Sequence, residues 1–413
     1  MSARALLVLL MAMANSGAAL ADGSRARLVH MTCAALGQAV AAQGSGAVLL
    51  PSYPQWNGQA EVPQALREVA FTYDNALASI ALYACGKSGA AQQVADALAF
   101  ATARDPDYTD GRVRNAYAAG PVKGGSVALP GYWNQARGAW SQDAYQVGSA
   151  TGNQAWAALA LLEAYRQSQQ VRYLDAARRV LDWTRLATFD AQSPAGFTGG
   201  FYGFPPSAQA QGWKSTEHNV DLAAAWRALA RLHDDPMANE QAQIARGFVE
   251  AHWDKEQGRF WIGTLPDGRT PQREKSGLDA QIWPLIALTD PPADWQRVLA
   301  FVESSHGYAE GYGFKQQPDG LWTEGTAQVA AVAQLQGQPA LAQRLWGVLL
   351  AQQARDGWLY ATPQGSINTG LSIGPDATSD DFLYYHLPHL GATAWAAIAA
   401  TGINPFTGEY KAN

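Results

Sequence analysis

The sequence alternates between two kinds of helical segment. Amphipathic segments with charged faces, such as VRYLDAARRVLDWTRLA (171–187), are typical of helices that bury one face. The segments between them are rich in alanine and nearly uncharged, and each opens with a polar cluster. These six are TYDNALASIALYACG (72–86), TGNQAWAALALLEAY (151–165), STEHNVDLAAAWRAL (215–229), LDAQIWPLIAL (278–288), TEGTAQVAAVAQL (323–335) and HLGATAWAAIAATG (389–402). A helix that is apolar on most sides is buried on most sides, so the sequence predicts alternating outer and inner helices.

Six outer–inner pairs follow one another without a fixed sequence period. A closed ring, an (α/α)6 toroid, lets every second helix be buried. In such a ring the inner helices run in the same direction, so their N-terminal ends meet on one rim. Period-two alternation is scarce, which limits strands to short loop hairpins. We therefore predict an all-α fold in which residues 22–413 form a single domain.

The first 21 residues have the features of a secretory signal peptide. A basic residue, Arg4, precedes an apolar core at 5–14, and Ala-Leu-Ala at 19–21 fits a cleavage site. No later apolar run is long enough to span a bilayer. The net charge of −6 argues against nucleic acid and anionic membranes as partners. We expect an exported monomer, periplasmic or extracellular, with a neutral or sugar-like ligand.

Two cysteines, Cys33 and Cys85, are present in the chain. In an oxidising compartment they can pair and link neighbouring helices, and two buried free thiols are the open alternative. The absence of a CxxC motif makes a thiolate metal site implausible. H-E-x-x-H, Walker A and G-x-G-x-x-G motifs are also absent from the sequence. We expect a site without metal or cofactor.

Carboxylates are concentrated at the polar heads of the inner helices. An acid in the first helical turn can serve only to cap the helix or to complement its dipole. The accompanying Trp, His and Asn residues favour catalysis, because glycoside hydrolysis needs two carboxyl groups, one of them protonated. The candidate catalytic acids are Asp74, Glu217, Asp221, Asp279 and Glu324.

Glu217 is the first candidate for the general acid. Ser215 or Thr216 can cap the helix, which places Glu217 at its mouth. A neighbouring indole, Trp213, would raise the pKa of this carboxyl, whereas the ammonium of Lys214 would lower it.

The partner of Glu217 is expected on another inner helix. Asp221 follows Glu217 at i+4 on the same helix face, so the two acids cannot flank a scissile bond from opposite sides. Asp74 and Glu324 are the better candidates, followed by Asp279.

Aromatic and polar residues near the rim are candidates for sugar binding. Aromatic rings present flat apolar faces to sugar C–H groups, although packing in a large core explains many of them equally well. A histidine among aromatic residues often has a purely structural role. The candidates are Trp133, Trp156, Tyr202, Trp213, Trp322, Tyr385, Lys214, His218 and His389. A lyase would also need a cation that neutralises a uronate, for which Lys214, Arg137 and Lys315 are available.

The chain resembles the six-hairpin glycosidase superfamily over nearly all of its mature length. The resemblance lies in the six polar-headed helices, the TGNQAW and STEHN openings, the DGLWTEGTAQ segment and the closing HLGATAWAAIAATGINPF. It implies a central cleft in which carboxylates hydrolyse glycosidic bonds. Lyases and epimerases share the toroid, and a non-catalytic glycan-binding protein is a further alternative. The expected function is a secreted glycoside hydrolase that cleaves a polysaccharide or oligosaccharide.

Overall fold

The computed structural model describes residues 23–56, 59–372 and 381–410. The expected signal peptide (1–21) lies outside these residues. The outer helices are α1 (residues 23–41), α3 (Ser88–Ala103), α5 (Val171–Ala187), α7 (Pro236–Ala251), α10 (Val298–His306) and α12 (Pro339–Ala351). The inner helices are α2 (Thr72–Ala84), α4 (Thr151–Ser168), α6 (Thr216–His233), α8 (Leu278–Ile282) with α9 (Pro284–Ala287), α11 (Thr323–Gln336) and α13 (Leu390–Thr401).

The inner helices form a closed ring. Each packs against the next in the order α2, α4, α6, α8–α9, α11 and α13, and α13 packs back against α2. This ring confirms the predicted (α/α)6 toroid. A continuous apolar core extends along the chain from Leu28 to Phe406. Among the described residues, no helix has the length and apolar character needed to cross a membrane.

The fourth inner helix is broken where the sequence predicts a continuous segment over 278–288. Trp283 separates α8 from α9, and Pro284 begins α9. Proline has no backbone N–H, so it cannot donate the bond that would continue the helix through this point. The break shortens the helix but leaves Asp279 in its first turn at the rim.

The strands are two to seven residues long and pair antiparallel. Most pair with the next strand as the predicted loop hairpins, but 48–49 pairs with 120–121, 69–71 with 116–118, and 149–150 with 200–201 across intervening elements. They are β1 (Val48–Leu49), β2 (Val69–Phe71), β3 (Ala116–Ala118), β4 (Gly120–Pro121), β5 (Tyr132–Asn134), β6 (Ala139–Ser141), β7 (Ser149–Ala150), β8 (Phe189–Asp190), β9 (Gly196–Phe197), β10 (Gly200–Tyr202), β11 (Gln209–Gln211), β12 (Trp253–Asp254), β13 (Arg259–Phe260), β14 (Gly307–Tyr308), β15 (Gly311–Tyr312), β16 (Ser366–Ser372) and β17 (Asp381–Tyr385). β2 and β7 run directly into α2 and α4, so these strands fix where two inner helices begin.

Cys33 and Cys85 form a disulfide with a Cα–Cα distance of 5.6 Å. Of the two sequence alternatives, paired or free thiols, the structure shows the paired one. The bond ties outer helix α1 to the residue that follows inner helix α2.

Candidate active site

A cavity of about 190 Å³ opens where the N-terminal ends of the inner helices meet. Every inner helix contributes a polar side chain to its wall, as the predicted convergence on one rim requires. These residues are Asp74 on α2, Asn153 on α4, Glu217 and His218 on α6, Asp279 on α8, Glu324 on α11, and His389 immediately before α13. The cavity is therefore the candidate active site.

Aromatic rings form much of the remaining wall. The rings of Trp156 and Trp283 lie 5.3 Å apart, and both side chains are 1 % exposed. Trp395 and Phe406 pack against Trp156 from the core, so this end of the cavity is closed by rings in edge-to-face and tilted contact. The hairpin β16–β17 contributes further wall residues: Thr369, Leu371, Phe382 and Tyr384.

Asp74, His389 and Glu324 form the first of two acidic groups, here named the Asp74 group. Nε2 of His389 lies 3.6 Å from Oδ2 of Asp74, and Nδ1 lies 3.7 Å from Oε2 of Glu324. Nδ1 accepts a hydrogen bond of 3.2 Å from the Ala392 N–H and thereby caps α13. The ring proton is consequently placed on Nε2, facing Asp74.

Burial sets the protonation of the Asp74 group. It raises the pKa of Asp74 to about 7 and lowers that of His389 to about 3. Burial raises the pKa of Glu324 well above its usual value, and the charge of Asp74 adds to this. The Tyr73 hydroxyl donates a 2.7 Å hydrogen bond to Oε1 of Glu324, which opposes the shift. Near pH 7 the group thus contains a neutral imidazole and an Asp74 that is partly ionised.

A glycine makes the close approach of the two carboxyls possible. A Cβ atom on Gly391, in the first turn of α13, would lie 2.6 Å from Oε2 of Glu324 and 2.8 Å from Oδ1 of Asp74. Any larger residue at this position would push the carboxyls apart.

Among the described residues, Asp74, Glu324 and His389 are the group that could hold a metal ion. One donor atom from each lies within 4.8 Å of the others. Nδ1 of His389 is already engaged by the Ala392 N–H, so Nε2 would have to serve as the nitrogen ligand. In the geometry observed, Nε2 faces Oδ2 of Asp74 at 3.6 Å, slightly beyond hydrogen-bond distance.

Glu217, Asp279 and Asp221 form the second acidic group, here named the Glu217 group. Ser215 caps α6 by accepting the His218 N–H, which places Glu217 in the first helical turn as predicted. The Glu217 side chain is 29 % exposed towards the cavity. Burial raises its pKa well above the usual value, and the charges of Asp279 and Glu324 add to the shift.

The other two acids of the Glu217 group differ in position. Asp279 lines the cavity, and burial raises its pKa to about 6 while the Ala280 N–H opposes the shift. Asp221 is fully buried behind the wall, with the indole of Trp156 as the polar group beside its carboxyl. The expected catalytic role for Asp221 therefore needs correction, because its carboxyl is not part of the cavity surface.

His218 lies beside Glu217, with Nε2 at 4.0 Å from Oε2. Burial lowers the pKa of His218 to about 4, so its ring is neutral near pH 7. A Cβ on Gly152 would lie 2.5 Å from Cδ2 of His218. The glycine of the TGNQAW motif therefore leaves the space that this imidazole occupies.

The two acidic groups occupy different parts of the ring, although Asp279 on α8 and Glu324 on α11 lie on neighbouring helices. Helix α6 bears Glu217 and lies three positions from α13 in the ring. The helices on either side of α13 are α2 and α11, which bear Asp74 and Glu324. Carboxyl groups thus approach a ligand in this cavity from two sides. Cleavage of a glycosidic bond uses a pair of carboxyl groups, one as acid and the other as base or nucleophile.

A second cavity, of about 260 Å³, adjoins the first. Both are lined by Glu217, His218, Asp279, Tyr145 and Leu371, whereas the Asp74 group lines only the first. The remaining wall of the second cavity includes Trp213 and the loop residues Leu265, Pro266, Gln272 and Lys275. Glu217 therefore lies at the junction of the two cavities.

Lys214 lines the second cavity, but its ammonium is already paired and so is not free for the substrate-binding role expected from the sequence. Its ammonium lies 2.9 Å from Oδ2 of Asp190 and donates hydrogen bonds to the carbonyls of Gln192 and Pro194. The residue is fully buried, so the ammonium holds the 190–194 loop rather than a ligand.

Three other expected sugar-binding residues lie outside both cavities. Trp133 is 49 % exposed on hairpin β5–β6, and Tyr202 is half-buried at the end of β10. Tyr385 packs at 6.3 Å against Tyr53, on the opposite face of β17 from Tyr384. The expected residues Trp156, Trp322, His218 and His389 line the first cavity, and Trp213 and His218 line the second.

Sequence reasoning missed several wall residues, among them Tyr73, Tyr145, Asn153 and Tyr384. Tyr73 and Asn153 lie in the first turns of α2 and α4, within the TYDNA and TGNQAW motifs. Their place at the head of an inner helix was the feature of the sequence that could have identified them. Tyr145 lies in an irregular loop without a pattern of its own. Choosing Tyr384 over Tyr385 required the register of β17, which the sequence does not contain.

Comparisons with solved structures agree with this architecture. A sugar epimerase from a ruminal bacterium matches with a TM-score of 0.64 and 12% identity, over 93% of this chain and 99% of that chain. A cellobiose 2-epimerase from Spirochaeta thermophila matches with a TM-score of 0.62 and 12% identity, over 94% and 97% of the two chains. A glycosidase variant in complex with glucose matches with a TM-score of 0.60 and 14% identity, over 91% and 96%.

No protein-family model and no curated protein matches the sequence. At these identities, the structural likeness establishes the fold. The chain has the (α/α)6 toroid fold of six-hairpin glycosidases and cellobiose 2-epimerases.

Proposed function

We propose that the protein is a glycoside hydrolase acting on a neutral sugar, with Glu217 as general acid. The observation that supports this most directly is the convergence on one cavity of carboxyl groups from four inner helices, among them Asp74 on α2 and Glu217 on α6. Glycosidases of this kind need one carboxyl that protonates the leaving oxygen and another that activates water or attacks the sugar carbon.

The pKa shifts support this division of roles. A general acid must be protonated at the working pH, and the pKa of Glu217 is raised well above its usual value. The partner must be ionised, and the pKa of Asp74, at about 7, permits this near neutrality. The raised pKa of Glu324 favours its neutral form, so Asp74 is the proposed base or nucleophile.

The absence of Lys and Arg from the described wall of the first cavity favours a neutral sugar there. Among the described residues, no Lys or Arg lines the first cavity. Lys214 is held by Asp190, and Lys315 lies 3.4 Å from Asp319. Arg137 follows β5 in an exposed turn. A uronate in the first cavity would therefore meet carboxylates without a neutralising partner, which argues against the lyase alternative.

An epimerase is the second candidate, because two neutral histidines lie on opposite walls. His218 is on α6 and His389 precedes α13, and burial lowers the pKa of both. Epimerisation next to a carbonyl needs a base that removes a proton on one face and an acid that returns one on the other. Two of the structural neighbours are named as sugar epimerases.

One assay separates the candidates. The protein would be incubated in D₂O with neutral disaccharides of glucose, galactose and mannose, followed by mass spectrometry. We expect two monosaccharides from at least one substrate. Deuterium incorporation into an uncleaved disaccharide would instead identify an epimerase. If neither occurs but a disaccharide binds in calorimetry, the protein is a glycan-binding protein and the hydrolase proposal fails.

We also propose that the enzyme acts outside the cytoplasm. The signal-peptide pattern of residues 1–21 and the Cys33–Cys85 disulfide support this location, because disulfides persist in oxidising compartments. Detection of the cleaved protein in a periplasmic or extracellular fraction would test it.

A further inference from the structure

We propose that the second cavity binds the leaving group of the glycoside and selects one that has an apolar face. The first cavity then holds the sugar whose bond is cleaved. This inference rests on the proposed hydrolase function and goes beyond it, because it assigns a separate specificity site and the residues that form it.

The shared residues determine which cavity has which role. A general acid must reach the oxygen that joins the sugar to its leaving group, so it lies between their two sites. Glu217 and Asp279 line both cavities, whereas Asp74, Glu324 and His389 line only the first. The proposed base or nucleophile and the sugar carbon it serves therefore belong to the first cavity, and the leaving group belongs to the second.

The size of the first cavity fits one small ligand. At about 190 Å³ it is smaller than the roughly 300–1,000 Å³ of sites for drug-sized molecules. The buried rings of Trp156 and Trp283 close its inner end. A second sugar unit therefore has to extend past Glu217 into the adjoining cavity.

The wall of the second cavity presents apolar groups. Trp213 is half-buried, and its ring lies 5.5 Å from the His218 ring at the junction. Leu265 is 37 % exposed and, with Pro266, forms the side contributed by the loop between β13 and α8. Sugar rings and aryl groups both offer an apolar face to such a surface. Gln272 and Lys275 add polar groups to the same wall.

Structural contacts hold this wall in place from behind. The Lys214 N–H donates to Oγ1 of Thr264, and the Thr264 N–H donates to the Lys214 carbonyl, at 2.9 and 2.8 Å. The loop that bears Leu265 is thus bonded to the segment that bears Trp213. The two apolar residues form one surface before a ligand binds.

Substrates with a small and a large leaving group can test the role of the second cavity. In a glucosyl fluoride the C1–F bond breaks and fluoride leaves with the electron pair. Water supplies the new C1–O bond, and its proton passes to the carboxylate base. Fluoride is too small to contact the second cavity, whereas the leaving sugar of a disaccharide fills it. Changes in the cavity wall should therefore affect disaccharides selectively.

The variants would be Leu265→Ala and Trp213→Phe, with Leu186→Ala as the matched control. Leu186 is 74 % exposed on outer helix α5 and lines neither cavity. Each protein would be assayed with α- and β-glucosyl fluoride and with a set of glucose disaccharides covering both anomers of each linkage. Leu265→Ala keeps the test valid if Trp213→Phe does not fold.

We expect Leu265→Ala to lower kcat/KM for the cleaved disaccharide by about 10-fold, the typical effect of losing apolar pocket contacts. Its kcat/KM for the fluoride should equal that of the wild type. Unchanged disaccharide cleavage, or an equal loss with both substrates, would overturn the leaving-group assignment while hydrolysis of the fluoride upholds the proposed function. If wild type hydrolyses neither substrate class, the proposed function itself fails, and the assignment with it.

Discussion

Oδ2 of Asp74 lies 3.6 Å from Nε2 of His389, and Glu324 lies on the other side of the same imidazole ring. Because the Ala392 N–H occupies Nδ1, the imidazole proton is directed at Asp74. A neutral donor next to a carboxylate stabilises its ionised form without adding a net charge. The charge of Asp74 adds to the raised pKa of Glu324, which is why Asp74 is the proposed ionised partner of Glu217.

Replacing the two carboxyls of the Asp74 group should have unequal effects. Asp74→Asn should lower kcat about 10²–10⁴-fold, the usual contribution of a base that acts in the transition state. Glu324→Gln should cost less, because a neutral amide resembles the protonated carboxyl that Tyr73 contacts. Steady-state assays on the cleaved disaccharide would measure both, with Asp175→Asn, an exposed change on α5, as control. A larger loss in Glu324→Gln would reverse the assignment.

The pH dependence of kcat/KM should be bell-shaped. Asp74 accepts a proton only when ionised, so activity should rise as the pH increases through about 7. Glu217 donates only when protonated, so activity should fall at a higher pH, because its pKa is also raised. A rising limb near pH 4 would contradict the role of Asp74, since an unperturbed carboxylate titrates there.

Removing the Asp74 carboxyl should stabilise the protein at high pH. The folded pKa, about 7, lies above the usual 3.8, so the folded state binds the extra proton between these values. Stability therefore falls as the pH rises through this window, and asparagine does not incur this loss. Relative to wild type, Asp74→Asn should gain up to ~4 kcal/mol in free energy of unfolding from pH 4 to pH 8. Urea titrations at both pH values would measure it, and an equal difference at both would contradict the raised pKa.

The Cys33–Cys85 disulfide should make a large contribution to stability. It closes a loop of 52 residues, for which the loss of unfolded-state entropy is worth ~4 kcal/mol. The double change Cys33→Ser/Cys85→Ser should lower the free energy of unfolding by about that amount. Urea unfolding under oxidising and reducing conditions would test it, and the double variant itself should show no redox dependence. If the wild type were equally stable under oxidising and reducing conditions, the disulfide would not make this contribution to the free energy of unfolding.

The ring of helices could be predicted because it follows from burial alone. The predicted segment 171–187 matches α5 at both ends, and the Ser215 cap placed Glu217 at the rim. The fourth inner segment contains Pro284, but its apolar pattern continues past this residue. The sequence therefore predicted one continuous helix where the structure has a break. Local patterns thus identified the helix heads, and the closed ring brought them together.

The individual roles depend on contacts that the sequence does not contain. Lys214 adjoins the predicted site along the chain, but its side chain is drawn away by Asp190, a residue of another loop. Asp221 shares a helix face with Glu217 and nevertheless lies one turn deeper, below the cavity surface. Which acids face each other is set by the order of helices around the ring.

The central claim is that Glu217 protonates the leaving oxygen at the junction of the two cavities. The most direct test is Glu217→Gln assayed on a cleaved disaccharide and on the corresponding glucosyl fluoride, with Glu240→Gln, an exposed change on α7, as control. Since fluoride leaves with little need of a proton, the variant should lose about 10²–10⁴-fold in kcat on the disaccharide and retain most activity on the fluoride. An equal loss on both substrates, or full disaccharide activity, would contradict the account.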